Sequence, residues 1–220
     1  MLKTAELFDL SQVDAPLREL LKVEHPWEVL ARLEAFNEEV GHDVRGEVHP
    51  TAVVEGAVYL AEGAVIGPHA YVKGPVWIGE GAEVGHGAYV RDNAVLGPYA
   101  KVGHASEVKR SLLLAGAKAP HFNYVGDAVL GRGVNLGAGV KLANLKAIGR
   151  NVSVGAVDTG LRKFSAAVGD EVSIGCNAVL APGTLIGPRT TVYNGAMLRG
   201  VYPADSVVKL RQTLEQALRH

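Results

Sequence analysis

The sequence predicts an all-β protein, a parallel β-helix wound from hexapeptide repeats. Three observations predict it. An aliphatic residue recurs every six positions from Val48, and a mostly small residue follows four positions after each one. Glycine is abundant while aromatic residues are scarce, with 27 glycines against an aromatic content of 6%. A core of small and β-branched side chains punctuated by glycine suits many short strands joined by tight corners. The aliphatic series runs Val48, Val54, Leu60, Ile66, Val72, Ile78, Val84, Val90, Leu96, Val102 and Val108, 11 hexads without a slip. The second series runs from Ala52 and Val58 to Ser106 and Leu112. Each hexad reads as one strand and a corner, and three hexads close one triangular coil. The aliphatic side chain points inward and the small one fits the inside of the turn. Glycine often follows the aliphatic residue, as in Ile66-Gly67 and Ile186-Gly187, where it is expected to accept a positive φ.

Before the repeat, residues 1–45 read as a helical N-terminal cap over the open first coil. Asp14 is placed as the N-cap of a helix over Ala15–Lys22. Pro26 suits a first helical position, with Trp27, Leu30, Leu33 and Phe36 forming an apolar stripe toward Val40. The β-helix itself is assigned to residues 46–200. Its period resumes at Leu130, Leu136, Leu142 and Ile148, and again from Val168 to Val192. Two stretches break it: Ala119–Val125, where the count slips by one, and the polar loop Gly155–Ala167. Residues 201–220 read as a C-terminal helix, with Asp205 as N-cap and an end near Leu218. A solenoid is a rigid scaffold, so its irregular excursions are where function is sought.

Composition narrows the partners. There are 22 basic and 23 acidic residues, a balance that gives no general pull toward nucleic acid or membrane. The single cysteine, Cys176, excludes an internal disulfide and fits a reducing compartment. The start carries acids where a signal peptide needs an apolar run, and no stretch is apolar enough for a membrane span. A soluble, cytoplasmic protein is expected.

Two sets of residues suggest chemistry. Arg91 and Lys109 stand one coil apart and so project from the same face. Two stacked cations repel unless an anion lies between them, which argues for an anion site; the alternative is that each points into solvent. His121 sits after Pro120 at a break in the repeat, with Tyr124 nearby, and a histidine is the side chain most often used as a general base at neutral pH.

The stretch around Glu107-Val-Lys109, the run His121-Phe-Asn-Tyr124-Val-Gly-Asp127-Ala and the downstream Val134-Asn135-Leu-Gly-Ala-Gly139 resemble a known family. They are similar to the acetyltransferase domain of the bifunctional glucosamine-1-phosphate acetyltransferase / N-acetylglucosamine-1-phosphate uridyltransferase. Ala143-Asn144-Leu145, Asp158-Thr-Gly160 and Arg162-Lys163 are closer to the archaeal-type sugar-1-phosphate nucleotidyltransferases carrying the same domain. The resemblance covers about residues 48–200. It implies a left-handed parallel β-helix, a homotrimer with sites between subunits, and acetyl-CoA as acyl donor to an amino-sugar 1-phosphate, with no metal required. It implies His121 as catalytic base and Glu107 as an acid near the reacting amine. Arg91, Lys109, Tyr124 and Lys163 would hold the sugar phosphate. Asn135 and Asn144 would contact the sugar and the cofactor side. Ala138 would offer a backbone contact to acetyl-CoA, and Cys176 stands where the bacterial enzymes place a serine near the thioester. Leu145 replaces a tyrosine of those enzymes. No glycine-rich nucleotide loop occurs in residues 1–45, so uridyl transfer is not expected.

Two other readings share the fold. A trimeric regulatory module without catalysis is one. The other is a γ-class carbonic anhydrase-like metal site. His69, His86, His104 and His121 are spaced by 17, 18 and 17 residues, a possible ladder on one face. The pair of histidines five residues apart that such a site needs is missing.

Overall fold

The computed structural model describes residues 2–218. Among them the chain forms a left-handed parallel β-helix of about nine turns. Three parallel sheets of nine, nine and eight strands make its sides. Face A runs from the strand Asp43–Val44 through Val58–Leu60 and Val76–Ile78 to Val201–Tyr202. Face B runs from Glu47–Val48 to Val207–Val208, and face C from Val53–Glu55 to Met197–Leu198. Every strand of these three faces pairs with the one a coil away, as Val54 with Val72 and Val72 with Val90. The inward aliphatic residues of all three faces, such as Leu60, Ile66, Val72 and Ile78, merge into one fully buried core.

Glycine works differently from expectation at the position after the aliphatic residue. Gly103 is not in the left-handed region. A methyl group there would collide with the carbonyl of Pro120 on the next coil. Close approach of stacked coils, rather than positive φ, excludes a side chain at that position. The left-handed residues lie at the corners, and several of them are not glycine, among them His69, Tyr99, Phe122 and Asp127.

The repeat slips at different places from those expected. Ala119 and Val125 both point inward with a full hexad between them. The shortened sides are Val108 to Leu113 and Val125 to Leu130, each five residues long, at the corner between faces C and A. Leu112 therefore turns outward while Leu113 fills the core. The second interruption begins earlier than Gly155. The chain leaves face C after Leu142 and rejoins face A at Ala166, and Ile148 is exposed rather than inward. The excursion carries a short antiparallel hairpin of Ser153–Val154 with Val157–Asp158.

The N-terminal segment holds helices at Thr4–Leu7, Ala15–Leu20 and Leu33–Val40, with 3₁₀ turns at Leu10–Gln12 and Pro26–Ala31. Asp14 occupies the N-cap position, but its side chain makes no capping hydrogen bond. The segment is not a lid on the first coil, whose Val44, Val48 and Val53 stay exposed. It lies along the outside of face A. There the outward positions Trp77, Val95, Leu112, Val129, Ala167 and Leu185 form an apolar row. Leu7, Phe8, Leu17, Leu21, Trp27, Leu30 and Leu33 bury it. Val152, Val154 and Phe164 of the excursion join the same cluster, with Trp27 and Phe164 ring centroids 6.1 Å apart. A long apolar strip offers an amphipathic segment more burial than one coil end does. Asp170 pins the segment: its N–H donates to Leu7 O at 3.0 Å, and its carboxylate accepts the Asp9 N–H at 2.9 Å.

The expected C-terminal helix is absent among the described residues. Val207–Val208 is a further strand of face B paired with Thr191–Val192, and residues 209–218 carry no regular structure. The aliphatic pair continues the solenoid pattern and overrides the helix reading at Asp205. Residues 219–220, also assigned to that helix, lie outside the described residues.

Candidate active site

Face C is the polar counterpart of face A. Its outward side chains stand in two columns. One runs Tyr71, Tyr89, Glu107, Tyr124, Lys141, and the other Lys73, Arg91, Lys109, Gly126. Register alone therefore brings Arg91 beside Lys109 and Glu107 beside Tyr124. Arg91 donates from Nε and Nη2 to Glu107 Oε1, at 2.9 and 2.7 Å, and from Nη1 to Asp92 at 2.5 Å. Its guanidinium also stands over the Tyr89 ring, 5.2 Å from the centroid.

Lys109 Nζ is 3.4 Å from Asp127 Oδ2, and Arg110 Nη1 is 3.2 Å from Asp127 Oδ1. Asp127 is fully buried. Asn144 donates from Nδ2 to Asp127 Oδ2 at 2.6 Å and to the Tyr124 hydroxyl at 3.1 Å. Gly126 makes this convergence possible, because a methyl group there would press on both the Tyr124 hydroxyl and the Asn144 amide. Arg91, Glu107, Lys109, Tyr124 and Asn144 thus share one cluster.

The charges of the cluster correct the sequence argument for an anion. Arg91 and Lys109 do stack on neighbouring coils, but each already pairs with carboxylates of its own. Asp92, Glu107 and Asp127 balance Arg91, Lys109 and Arg110. The cations are pre-positioned and already compensated, so repulsion does not demand a ligand. Burial works against the charge of Arg91, but the Glu107 hydrogen bond and the Asp92 charge outweigh it and raise its pKa. Burial raises the Tyr124 pKa as well, and the charges of Glu107 and Asp127 push it the same way. The phenol keeps its proton throughout the neutral range.

The remaining predicted residues lie around the corner between faces B and C. His121 ends the face B strand Lys118–His121 and is exposed; Tyr124 opens the face C strand just beyond the corner. The His121 N–H donates to Asn123 Oδ1 at 3.0 Å. Among the described residues no hydrogen bond joins the imidazole to the face C cluster. His121, Ala138 and Cys176 stack along this corner on successive coils. His121 O accepts from Gly139 N, Ala138 O from Asn177 N and Cys176 O from Gly195 N, at 2.9, 2.9 and 2.8 Å. Asn135 points from face B, where it joins Ser173, Cys176, Thr191, Tyr193 and Asn194 around a shallow cleft of about 370 Å³. The structure so separates Asn135 from Asn144. Lys163 is exposed at the root of the excursion, bridged through its backbone to Leu145.

The histidine ladder forms in part. His69 and His86 rings are 5.7 Å apart, and His86 stacks on His104 at 4.9 Å. The next ring against His104 is Phe122, not His121. Among the described residues no three His, Cys, Asp or Glu side chains converge as a metal-binding group.

Sequence reasoning quoted Asp127 within its motif but gave it no role. That carboxylate is buried where Asn144 and Ser165 of the excursion fold over Asp127, a contact that the repeat spacing does not announce.

The fold and this polar face define a left-handed β-helix of the hexapeptide-repeat class. Residues 72–163, which hold the whole cluster, match the family described as GMPPB C-terminal domain. The chain is 42% identical over 193 residues to the bifunctional protein GlmU of Methanococcus maripaludis strain C7, covering 86% of this chain and 47% of that protein. It is 39% identical over 94 residues to the bifunctional sugar-1-phosphate nucleotidylyltransferase/acetyltransferase of Sulfurisphaera tokodaii, covering 41% of this chain and 23% of that protein. Among solved structures, the UDP-N-acetylglucosamine acyltransferase of Francisella novicida aligns with a TM-score of 0.46 and 17% identity, over 73% of this chain and 67% of that one. The chain spans about half or less of the length of the curated relatives it matches. No described helix is long and apolar enough to cross a membrane.

Proposed function

We propose that this chain transfers an acetyl group from acetyl-CoA to the amine of an amino-sugar 1-phosphate. One observation carries the reading: Arg91, Glu107, Lys109, Tyr124 and Asn144 converge on face C, next to the corner that bears His121. Two cations and a phenol suit a phosphate and a hydroxylated ring, and a carboxylate suits an ammonium. Similarity to proteins named as sugar-1-phosphate nucleotidylyltransferase/acetyltransferase supports the same chemistry.

The reaction needs a neutral amine in line with a thioester carbonyl. The amine nitrogen attacks the carbonyl carbon, its proton passes to the His121 imidazole, and the thiolate leaves. Base catalysis of this kind is worth about 10²–10⁴-fold, and holding amine and thioester in line adds to it. Glu107 pairs with the substrate ammonium as it binds; the ammonium gives one proton to solvent before attack, and the proton that His121 takes from the attacking nitrogen passes on to the leaving thiolate. The resident ion pairs then exchange partners: phosphate takes Arg91 and Lys109 while the amine takes Glu107. On the other side of the corner, the cleft of Asn135 and Cys176 receives the acyl donor, with the Ala138 backbone between donor and base. Faces B and C are clear of the N-terminal segment, and a neighbouring subunit of a homotrimer closes the groove there.

Purified protein is assayed with acetyl-CoA and glucosamine 1-phosphate, following free thiol. Turnover by wild type and its loss in His121→Ala are expected. No turnover with any amino sugar phosphate would favour a catalytically idle module.

A further inference from the structure

We infer that Asp127 is the positioning residue of this site, the side chain that sets where Lys109 and Asn144 present their polar ends to the sugar phosphate. The inference rests on the amino-sugar-phosphate reading above.

Asp127 is a fully buried carboxylate placed by geometry rather than by its strand. It sits at the corner between the strands Tyr124–Gly126 and Val129–Leu130, with φ of 52°. From there one oxygen accepts from Arg110 at 3.2 Å. The other is shared by Asn144 at 2.6 Å and Lys109 at 3.4 Å. Two of these three partners belong to the cluster, and Asn144 passes the constraint on to the Tyr124 hydroxyl at 3.1 Å.

A lysine ammonium rides on a flexible four-carbon stem and has no geometry of its own. A buried, fixed anion supplies one. The Lys109 side chain is 14% exposed and runs beside this anion. The backbone of Asp127 adds a second constraint. Its carbonyl accepts from the Ser165 N–H at 2.9 Å and from the Ser165 hydroxyl at 3.2 Å. Asn144 starts the excursion and Ser165 ends it, and Phe164 N–H donates to Asn144 O at 3.1 Å. One residue therefore ties both roots of the loop that carries Lys163 to the cations of face C.

A rival account makes Asp127 a brace of the corner only. The two accounts differ in kinetics. Positioning predicts that Asp127→Asn raises KM for glucosamine 1-phosphate by about tenfold or more, with KM for acetyl-CoA within about twofold of wild type. It also predicts that Lys109→Met adds less than about twofold in the Asp127→Asn background, because both changes remove one interaction. Asparagine and glycine adopt the left-handed backbone readily, so Asp127→Gly serves where Asp127→Asn does not fold. A folded variant with both KM values unchanged, additive effects with Lys109→Met, or loss of folding in both variants would overturn the inference in favour of the brace. Absence of wild-type turnover with every amino sugar phosphate would instead remove the functional reading, and this inference with it.

Discussion

Faces A and C use the same outward backbone positions of the same coils for opposite ends. On face A those positions hold Trp77, Val95, Leu112 and Val129, buried beneath the N-terminal segment. On face C they hold Tyr89, Glu107, Tyr124 and Lys141, left to water or to a ligand. The inward residues of both faces are interchangeable aliphatics. The β-helix thus settles its core from the inward series alone and leaves each outward column free. One column has become a second hydrophobic core, where fully burying a large apolar side chain contributes about 1.5–3 kcal/mol. The other has become a row of tyrosines and charged side chains. At neutral pH, changes on face C should alter chemistry far more than stability, and changes on face A the reverse.

The largest effect is expected at the corner bordering face C. His121→Ala should lower kcat by about 10²–10⁴-fold. Its imidazole is exposed, so the melting temperature should not move. A fall in melting temperature accompanying lost turnover would blur the division. On face A, Trp77→Ala should cost about 3–5 kcal/mol in urea melts. Trp77 stacks on Tyr59 at 5.6 Å and meets Phe36 edge-on at 5.9 Å, so truncation opens the seam between segment and solenoid. Its KM values, measured well below the transition, should match wild type.

Lys109→Met should raise KM for the sugar phosphate by about tenfold, as expected for one lost hydrogen bond to a charged group. KM for acetyl-CoA should stay unchanged. An equal rise in both would mean that face C does not separate phosphate from donor. The smallest effect concerns pH. The folded Tyr124 phenol holds its proton more tightly than in the unfolded chain, through burial first and then the charges of Glu107 and Asp127. This stabilisation is complete below the ordinary tyrosine pKa of about 10 and is lost as pH rises through the higher folded value. Tyr124→Phe should flatten that alkaline decline in urea melts at about pH 9–11. An unchanged slope would place the phenol outside the field of those carboxylates.

The inward series was legible because period six fixes it directly, as with Leu60 through Val108; Val48 shares the period, but no earlier coil covers it. The outward row of face A was written at a spacing of one coil, Tyr59, Trp77 and Val95, but its meaning depended on what covers it. The stripe of Trp27, Leu30 and Leu33 announced burial without saying against which surface. Leu112 was misplaced because the shortened corner swaps it with Leu113, and a slip of one residue reverses inside and outside. The Arg91 and Lys109 column was visible from spacing. Their compensation by Glu107 and Asp127 was not, because it depends on side chains crossing between columns and into a buried corner. Val207–Val208 followed the strand pattern even though Asp205 invited a helix.

The most direct measurement is a crystal structure with glucosamine 1-phosphate bound. The account predicts the phosphate on Arg91 and Lys109, and the amine within about 2.6–3.2 Å of the imidazole of His121, in the same subunit or a neighbouring one. A sugar phosphate bound away from face C, with every His121 ring turned from the amine, would contradict it.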